Sequence, residues 1–147
     1  MSKHRLTTFA LNIIAAISAA ASAWLPWFGG NNPKSINLTV LFGVENFIPN
    51  SQIIFSVAMV IFVAAGLMFA AAILQWKIFA ILGVLIGGAT VVLWFMSSDL
   101  TFPNFNLDQV GLGATAMTAA VVLSFITIFI RRYRRRMNDN SDRTSAL

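Results

Sequence analysis

The chain of 147 residues contains no cysteine and a single histidine, His4. Without cysteine it has no disulfide, no thiolate metal ligand and no thiol redox chemistry. One histidine does not supply a transition-metal site or a nucleophile–base pair from within the chain. We therefore expect a protein that is not an enzyme, with no catalytic residue, no bound metal and no cofactor.

Charged residues are scarce as well. They make up 10% of the chain, whereas soluble domains contain roughly 25%. Apolar residues account for 58%, and such a composition does not cover a surface that faces water. A lipid bilayer accepts apolar side chains on the outside of a protein, so the composition predicts an integral membrane protein. The length predicts one domain.

Four long runs contain no Asp, Glu, Lys, Arg or His. A membrane-spanning helix needs roughly 20 mainly apolar residues, and only the short turn 75–77 separates the second run from the third. We predict an all-α membrane protein, a four-transmembrane-helix bundle that forms a single domain over 1–136, followed by a disordered cytoplasmic tail over 137–147. The predicted spans are about 6–28, 51–74, 78–96 and 110–130.

The absence of charge inside these runs also bears on function. Intramembrane charges are costly, and where they occur they usually belong to ion pathways or proton relays. Small four-helix multidrug transporters use a carboxylate within the membrane, and the four runs contain none. Proton-coupled transport by that mechanism is therefore disfavoured.

The segment after the first run has a different pattern. Residues 29–35, GGNNPKS, have the composition of a turn. In residues 35–42, Ile36, Leu38, Val40 and Phe42 alternate with Ser35, Asn37, Thr39 and Leu41, and this period of two is typical of a short β-strand. We expect this segment to form a small extracytoplasmic loop cap on the bundle, with a short strand at 35–42.

The end of the first run allows two interpretations. A basic start, an apolar run and Ala21-Ser22-Ala23 also fit a signal peptide that is cleaved before Trp24. The run continues apolar through Phe28 and thereby reaches spanning length, which favours a retained helix. Cleavage of residues 1–23 stays open at this point.

Small residues on the helices predict close packing. Ala15, Ala19 and Ala23 are four residues apart, and this spacing lets another helix approach closely. Asn12 either bonds to another helix or lies near the headgroups, and we prefer the headgroup position. The glycines expected to support helix packing are Gly66, Gly83, Gly87, Gly111 and Gly113.

The distribution of charge predicts the topology. With four spans, nine of the ten basic residues lie on the side of the two termini, and only Lys34 lies on the other. The positive-inside rule then predicts a multi-pass plasma-membrane protein with both termini in the cytoplasm. We expect the Arg cluster (Arg131, Arg132, Arg134, Arg135 and Arg136) to set this topology and to bind anionic lipid headgroups rather than nucleic acid. The aromatic anchors expected at the two interfaces are Trp24, Trp27, Trp76 and Trp94.

Three carboxylates fall on the predicted outer side: Glu45, Asp99 and Asp108. If the two outer loops fold together, these groups would form a weak acidic site for a cation or a basic partner. A solvated surface with the expected negative bias explains them equally simply, and we prefer it.

The order of these features resembles a loose group of small four-span bacterial membrane proteins of uncharacterised activity, of the kind common in actinobacteria. The resemblance lies in Leu25-Pro26-Trp27 at the end of the first helix, in the tight hairpin at 75–77, and in Val110-Gly111-Leu112-Gly113 at the start of the last helix. It implies a four-helix bundle in the cell membrane and no known activity.

Three functions are compatible with this sequence. The preferred one is a non-catalytic accessory or assembly subunit of a larger membrane complex, respiratory or cell-envelope, whose partners are other membrane subunits or a second copy. The alternative is a homo-oligomeric pore or carrier for a small solute. An enzyme acting on lipid or envelope precursors is the least favoured.

Overall fold

The computed structural model describes residues 3–27, 32–42, 56–101 and 110–144. Within these ranges the chain forms four α-helices and one 3-10 helix, Leu38–Phe42. The α-helices are α1 (Lys3–Ser22), α2 (Val57–Leu74), α3 (Lys77–Thr101) and α4 (Leu112–Thr144). The all-α bundle expected from the sequence is confirmed.

Three of these helices contain a stretch long and apolar enough to cross a membrane. The stretches are Val57–Leu74, Lys77–Met96 and Leu112–Ile130, while the apolar part of α1, Leu6–Ser22, is shorter. Helices suit this environment because lipid offers no hydrogen-bond partner, so every backbone group must be satisfied within the protein. The chain has the character of a membrane protein with transmembrane helices.

The helices pack as a ring in chain order. Helix α1 packs against α2 and α4, and α3 packs against the same two helices. Helix α2 ends where Gln75 adopts a left-handed conformation with φ of 54°. Only Gln75 and Trp76 separate α2 from α3, so these two helices form the antiparallel hairpin that the short connection predicts.

The interior of the ring combines large and small side chains. Ile61, Met68 and Met117 are completely buried and fill the centre. The small face of α1 is buried too, including Ala15, Ala19 and Ala23. In lipid, helices associate through close van der Waals packing, which small residues permit. The alanine spacing in the sequence therefore identifies the face that α1 turns toward its neighbours.

The loop cap, residues 32–42, does not contain the predicted strand. Leu38–Phe42 is a 3-10 helix, and the bridge that the structure gives for the described residues of the predicted strand is an isolated one between Asn37 and Ser56. The Asn37 side chain accepts a hydrogen bond from the Thr39 backbone N–H at 3.2 Å. Such local bonds compete with strand pairing, so the strand prediction is wrong. The loop cap nevertheless packs on the bundle, because Ile36 and Leu41 belong to the buried core.

The last helix is longer than its predicted span. It continues past Ile130 through the Arg cluster to Thr144, whereas the sequence predicts a disordered tail from residue 137. Helix α4 has 33 residues, which corresponds to a length of about 50 Å at roughly 1.5 Å per residue. The helix therefore extends well beyond the thickness of a hydrocarbon layer.

Asn12 is completely buried between α1 and α4 rather than placed toward the headgroups. Its Nδ2 donates to the Thr8 carbonyl at 3.0 Å, and its Oδ1 accepts from the Thr127 hydroxyl at 3.2 Å. The Thr127 hydroxyl also lies 2.7 Å from the Ser124 carbonyl, so its single hydrogen is shared between two acceptors. Because a buried amide needs partners, this helix–helix contact replaces the headgroup position that we preferred.

We predict that Thr127→Val destabilises the bundle by about 1 kcal/mol, the usual size of a hydrogen bond between membrane helices. Valine keeps the shape of threonine but leaves Asn12 Oδ1 without its donor. Thr118→Val is the matched control, because the exposed Thr118 bonds only to the Ala114 carbonyl of its own helix. Reversible unfolding in mixed micelles measures the free energy of unfolding of both variants. Equal losses in the two variants would contradict a role for the contact between α1 and α4.

Candidate functional site

The ends of α1 and α4 meet at one end of the bundle, and we call this contact the junction: Leu25–Trp27 against Gly111–Gly113. After α1, the chain turns through two hydrogen bonds, from Ala23 N to Ala20 O at 3.2 Å and from Trp24 N to Ala21 O at 3.0 Å. Pro26 then brings Trp27 back over the end of the helix. The chain thus leaves α1 in a defined direction.

Trp27 is held there by its own side chain. Its indole Nε1 donates to the Ser22 carbonyl at 2.9 Å, which is one of the carbonyls that a helix end leaves without an intrahelical partner. The ring is completely buried and contacts the edge of Trp94 from α3, with centroids 5.3 Å apart and planes at 87°. The edge-to-face arrangement suits the charge distribution of aromatic rings. One side chain therefore connects the end of α1 to α3.

The backbone beside Trp27 closes the start of α4. The Gly111 N–H donates to the Trp27 carbonyl at 2.7 Å, and the Gly113 N–H donates to the Pro26 carbonyl at 2.9 Å. The first N–H groups of a helix have no partner within it, and in lipid each unsatisfied group costs several kcal/mol. The junction satisfies two of them with carbonyls from another part of the chain.

The two glycines are required by the closeness of this contact. A Cβ at Gly111 would collide with the Pro26 carbonyl oxygen and lie 3.1 Å from the Trp27 carbonyl carbon. A Cβ at Gly113 would collide with the Trp27 ring and lie 2.7 Å from the Leu25 carbonyl oxygen. Backbone atoms cannot rotate away as a flexible side chain can, so only glycine fits at these positions.

Helices α1 and α4 run antiparallel. The segment that follows α1 bonds to the start of α4 through Pro26 and Gly113, and Asn12 within α1 bonds to Thr127 farther along α4. Because the later residue of one segment meets the earlier residue of the other at both contacts, the two chain directions are opposite.

The loop cap likewise provides hydrogen-bond acceptors for the first N–H groups of α2. The Val57 N–H donates to the Ile36 carbonyl at 3.0 Å, and the Ala58 N–H donates to the Pro33 carbonyl at 3.3 Å. Ser56, at the N-cap position, makes no side-chain capping bond to the helix, so these backbone carbonyls take that role. The 3-10 helix of the loop cap packs against α3, which fixes the cap above the ring.

The four tryptophans predicted as interface anchors divide into two pairs. Trp24 and Trp76 are 54% and 62% exposed, which is compatible with contact to a bilayer interface. Trp27 and Trp94 are 0% and 4% exposed, and they contact each other instead. Packing inside the bundle therefore accounts for Trp27 and Trp94 without any contact with headgroups.

The glycines predicted for helix packing also differ in their surroundings. A Cβ at Gly83 would lie 3.0 Å from Met68 Cγ and 3.3 Å from the Ala64 carbonyl oxygen, so Gly83 lets α3 approach α2. A Cβ at Gly87 would lie 2.7 Å from Met117 Cε of α4. The glycine pair of α3 thus serves packing within one molecule, whereas a Cβ at Gly66 would meet nothing within 4 Å.

The hydroxyl groups on the helices bond mainly to their own backbone. Thr90 donates to the Ile86 carbonyl at 2.8 Å, and Ser22 donates to the Ala19 carbonyl at 2.7 Å. Ser124 Oγ is buried without a hydrogen-bond partner. No group of three His, Cys, Asp or Glu residues suited to a metal ion occurs in the described ranges. These contacts stabilise the bundle and form no recognisable reactive arrangement in the part of the chain that is described.

The other predicted features are charged groups: the Arg cluster and the three carboxylates of the predicted outer side. The Arg cluster lies on α4 just past the apolar stretch that ends at Ile130, where a topology anchor is expected. Glu45 and Asp108 lie outside the described residues, and Asp99 lies on α3. The acidic site and the lipid contacts of the arginines therefore stay predictions.

The junction and the contact between Asn12 and Thr127 were not predicted as contacts. The motifs Leu25-Pro26-Trp27 and Val110-Gly111-Leu112-Gly113 were identified separately, at the end of one run and the start of another. In an antiparallel pair of first and last helices these two ends meet, so the sequence contained a signal for the junction. Nothing in the sequence distinguishes Thr127 from the other hydroxyls as the partner of Asn12.

Gly111→Ala should destabilise the bundle by about 1–3 kcal/mol, the usual cost of forcing extra atoms into a packed site. Gly66→Ala adds the same methyl group where nothing lies within 4 Å, so it should be neutral or should stabilise α2 by up to about 1 kcal/mol. Equilibrium unfolding in detergent micelles gives both values. Similar stability changes in the two variants would show that the junction does not need glycine.

Comparison with known proteins gives no match: no family model, no curated protein and no solved structure matches this chain. The resemblance to small four-span bacterial membrane proteins therefore stays a prediction.

Proposed function

We propose that the protein is a non-catalytic integral membrane protein, an accessory or assembly subunit of a larger respiratory or cell-envelope complex. The observation that supports this most directly is how the polar groups of the described bundle are used. Trp27 Nε1 closes the end of α1, Asn12 and Thr127 bond to each other, and the other helix hydroxyls mostly bond to their own backbones. These groups maintain a scaffold, and its apolar outer faces suit contact with the helices of other membrane subunits.

In this proposal α1 is the fourth span. Its apolar part is shorter than the other three stretches, but its exposed face continues past Ser22 to Trp24. From Leu6 to Ser22 this face covers about 24 Å at roughly 1.5 Å per residue, and the turn to Trp24 extends it toward the ~30 Å of a hydrocarbon core. The antiparallel contact with α4 supports the same placement, since α4 contains a full-length apolar stretch.

The same packing supports retention of the first 23 residues. Ser22 and Ala23 are completely buried, and the Ser22 carbonyl accepts the Trp27 indole N–H. Loss of α1 would uncover the buried face of α4 and remove Asn12 from Thr127. We therefore propose that Ala21-Ser22-Ala23 is a packing face and not a cleavage site.

Intact-mass measurement of the membrane-extracted protein tests this proposal. The expected mass includes residues 1–23, and the 147 residues together have a mass of 16.0 kDa. Detection of a chain that begins at Trp24 would contradict both the retained helix and the four-span arrangement.

The charge pattern supports the orientation. With four spans, both termini and the turn at Gln75–Lys77 share one side, which carries nine of the ten basic residues. We propose a plasma-membrane location with this side in the cytoplasm. There the Arg cluster would attract anionic lipid headgroups, at roughly 1 kcal/mol for each basic residue near the surface.

The alternative function is a homo-oligomeric pore or carrier. Thr115 and Thr118 are exposed on α4 and offer hydroxyl groups on an outer face. The centre of a single bundle is filled by Ile61, Met68 and Met117, so a polar path would have to run between copies. This alternative predicts solute or ion flux in liposomes and homo-oligomers on cross-linking.

Purification of the tagged full chain in mild detergent separates the two functions. We expect stoichiometric foreign membrane subunits to accompany the accessory protein. Gly66→Leu and Ala89→Leu then test which outer face they contact, since both positions are exposed and lie on α2 and α3 respectively. A clean monomer or homo-oligomer, with no foreign subunit at any detergent concentration tested, would contradict the accessory function.

A further inference from the structure

The exposed face of α1 forms a regular stripe that ends in an aromatic ring. Its residues recur every three or four positions, as expected for one face of a helix. The first five lie within α1, and the sixth, Trp24, follows the end of the helix. The stripe consists of Leu6, Ala10, Ile14, Ile17, Ala21 and Trp24. If α1 crosses the bilayer as proposed, Trp24 lies at the boundary between hydrocarbon and headgroups, where tryptophan is enriched.

Trp24 has two neighbours at this boundary. Phe62 of α2 contacts it edge to face, with ring centroids 4.8 Å apart. Lys34 of the loop cap places its Nζ 4.5 Å from the centre of the Trp24 ring. A cation over an indole face is attracted by the negative charge of the ring, so the ring holds the ammonium group at the level of the headgroups.

The position of Lys34 is also fixed through its backbone. The preceding residue, Pro33, is completely buried, and its carbonyl accepts the Ala58 N–H at the start of α2. Ser35 closes a turn on the other side, where its hydroxyl donates to the Asn32 carbonyl at 2.8 Å. The chain on both sides of Lys34 is thus bonded in place, which reduces the entropy lost when a ligand binds its side chain.

We infer that Lys34 and Trp24 form a binding site for the phosphate group of an anionic phospholipid. An ammonium group has three N–H donors, and the attraction to the ring face leaves donors that can reach a phosphate oxygen. The Trp24 ring packs against the upper part of the acyl chains while the lysine binds the headgroup. The site rests on the proposed four-span arrangement and lies at the end of the bundle opposite the Arg cluster.

Fluorescence quenching by brominated lipids tests this site on the full chain in vesicles. In a Trp76→Phe background, Trp24 is the one exposed indole of the three that remain, because Trp27 and Trp94 are buried. Vesicles of phosphatidylcholine with increasing brominated phosphatidylglycerol then report the relative affinity of the anionic lipid beside Trp24. Brominated phosphatidylcholine reports whether Trp24 contacts lipid at all.

Lys34→Gln should lower the relative affinity for phosphatidylglycerol about fivefold, the effect of one basic charge near the surface. Lys34→Arg should keep it, and Lys77→Gln, the matched loss of charge at the other end of the bundle, should leave it unchanged. Equal affinity in wild type and Lys34→Gln overturns the proposal, and so does an equal loss in Lys77→Gln. Loss of the preference on addition of inorganic phosphate would show a site for free phosphate and overturn the assignment to lipid.

The four-span arrangement has its own readout in this experiment. If Trp24 is not quenched by brominated phosphatidylcholine, α1 does not bring it to the bilayer, and the proposed function loses its fourth span. If Trp24 is quenched but shows no preference for the anionic lipid, the span stands and the lipid site alone is overturned.

Discussion

The structure depends on closing the ends of its helices. In the middle of a helix the backbone N–H and C=O groups bond to each other, but the first N–H groups and the last carbonyls have no partner within the helix. Here the Pro26 and Trp27 carbonyls accept the first N–H groups of α4, while the Trp27 indole donates to the end of α1. Carbonyls of Pro33 and Ile36 do the same for α2. The positions of the loop cap, of α4 relative to α1, and of the buried tryptophans all follow from these bonds.

Close approach of the backbones is the second condition, and it explains where small residues occur. The junction requires glycine at 111 and 113 because carbonyl groups occupy the space of a side chain, and Gly83 allows α3 to contact the backbone of α2. Along α1 the same condition is met by alanine, with Asn12 as a polar exception that finds a partner in Thr127. Since most of these polar and small residues serve the bundle, the described surface left for partners or lipid is mainly apolar between its two ends.

The two ends differ in a way that matters for the proposed function. One end has the loop cap, in which a single lysine is held over an exposed tryptophan. The other has the hairpin turn at Gln75–Trp76 and the Arg cluster, through which α4 continues as a helix. In the proposed arrangement a charge difference of this kind would orient the protein, while the apolar faces between the ends suit contact with acyl chains or with helices of other subunits.

The sequence by itself determined the helical class, the membrane character and the close packing of α1, because the length of apolar runs and the spacing of alanines depend only on local order along the chain. It did not determine the loop cap, where the alternation at 35–42 predicts a strand but Asn37 bonds locally and Ser56 offers a single bridge. Nor could the sequence determine which tryptophans are buried. Trp24 and Trp27 are three residues apart in sequence, yet Trp24 is exposed and Trp27 is buried. Only the tertiary structure decided these points, because they depend on which distant backbone carbonyl, ring or glycine lies opposite each residue.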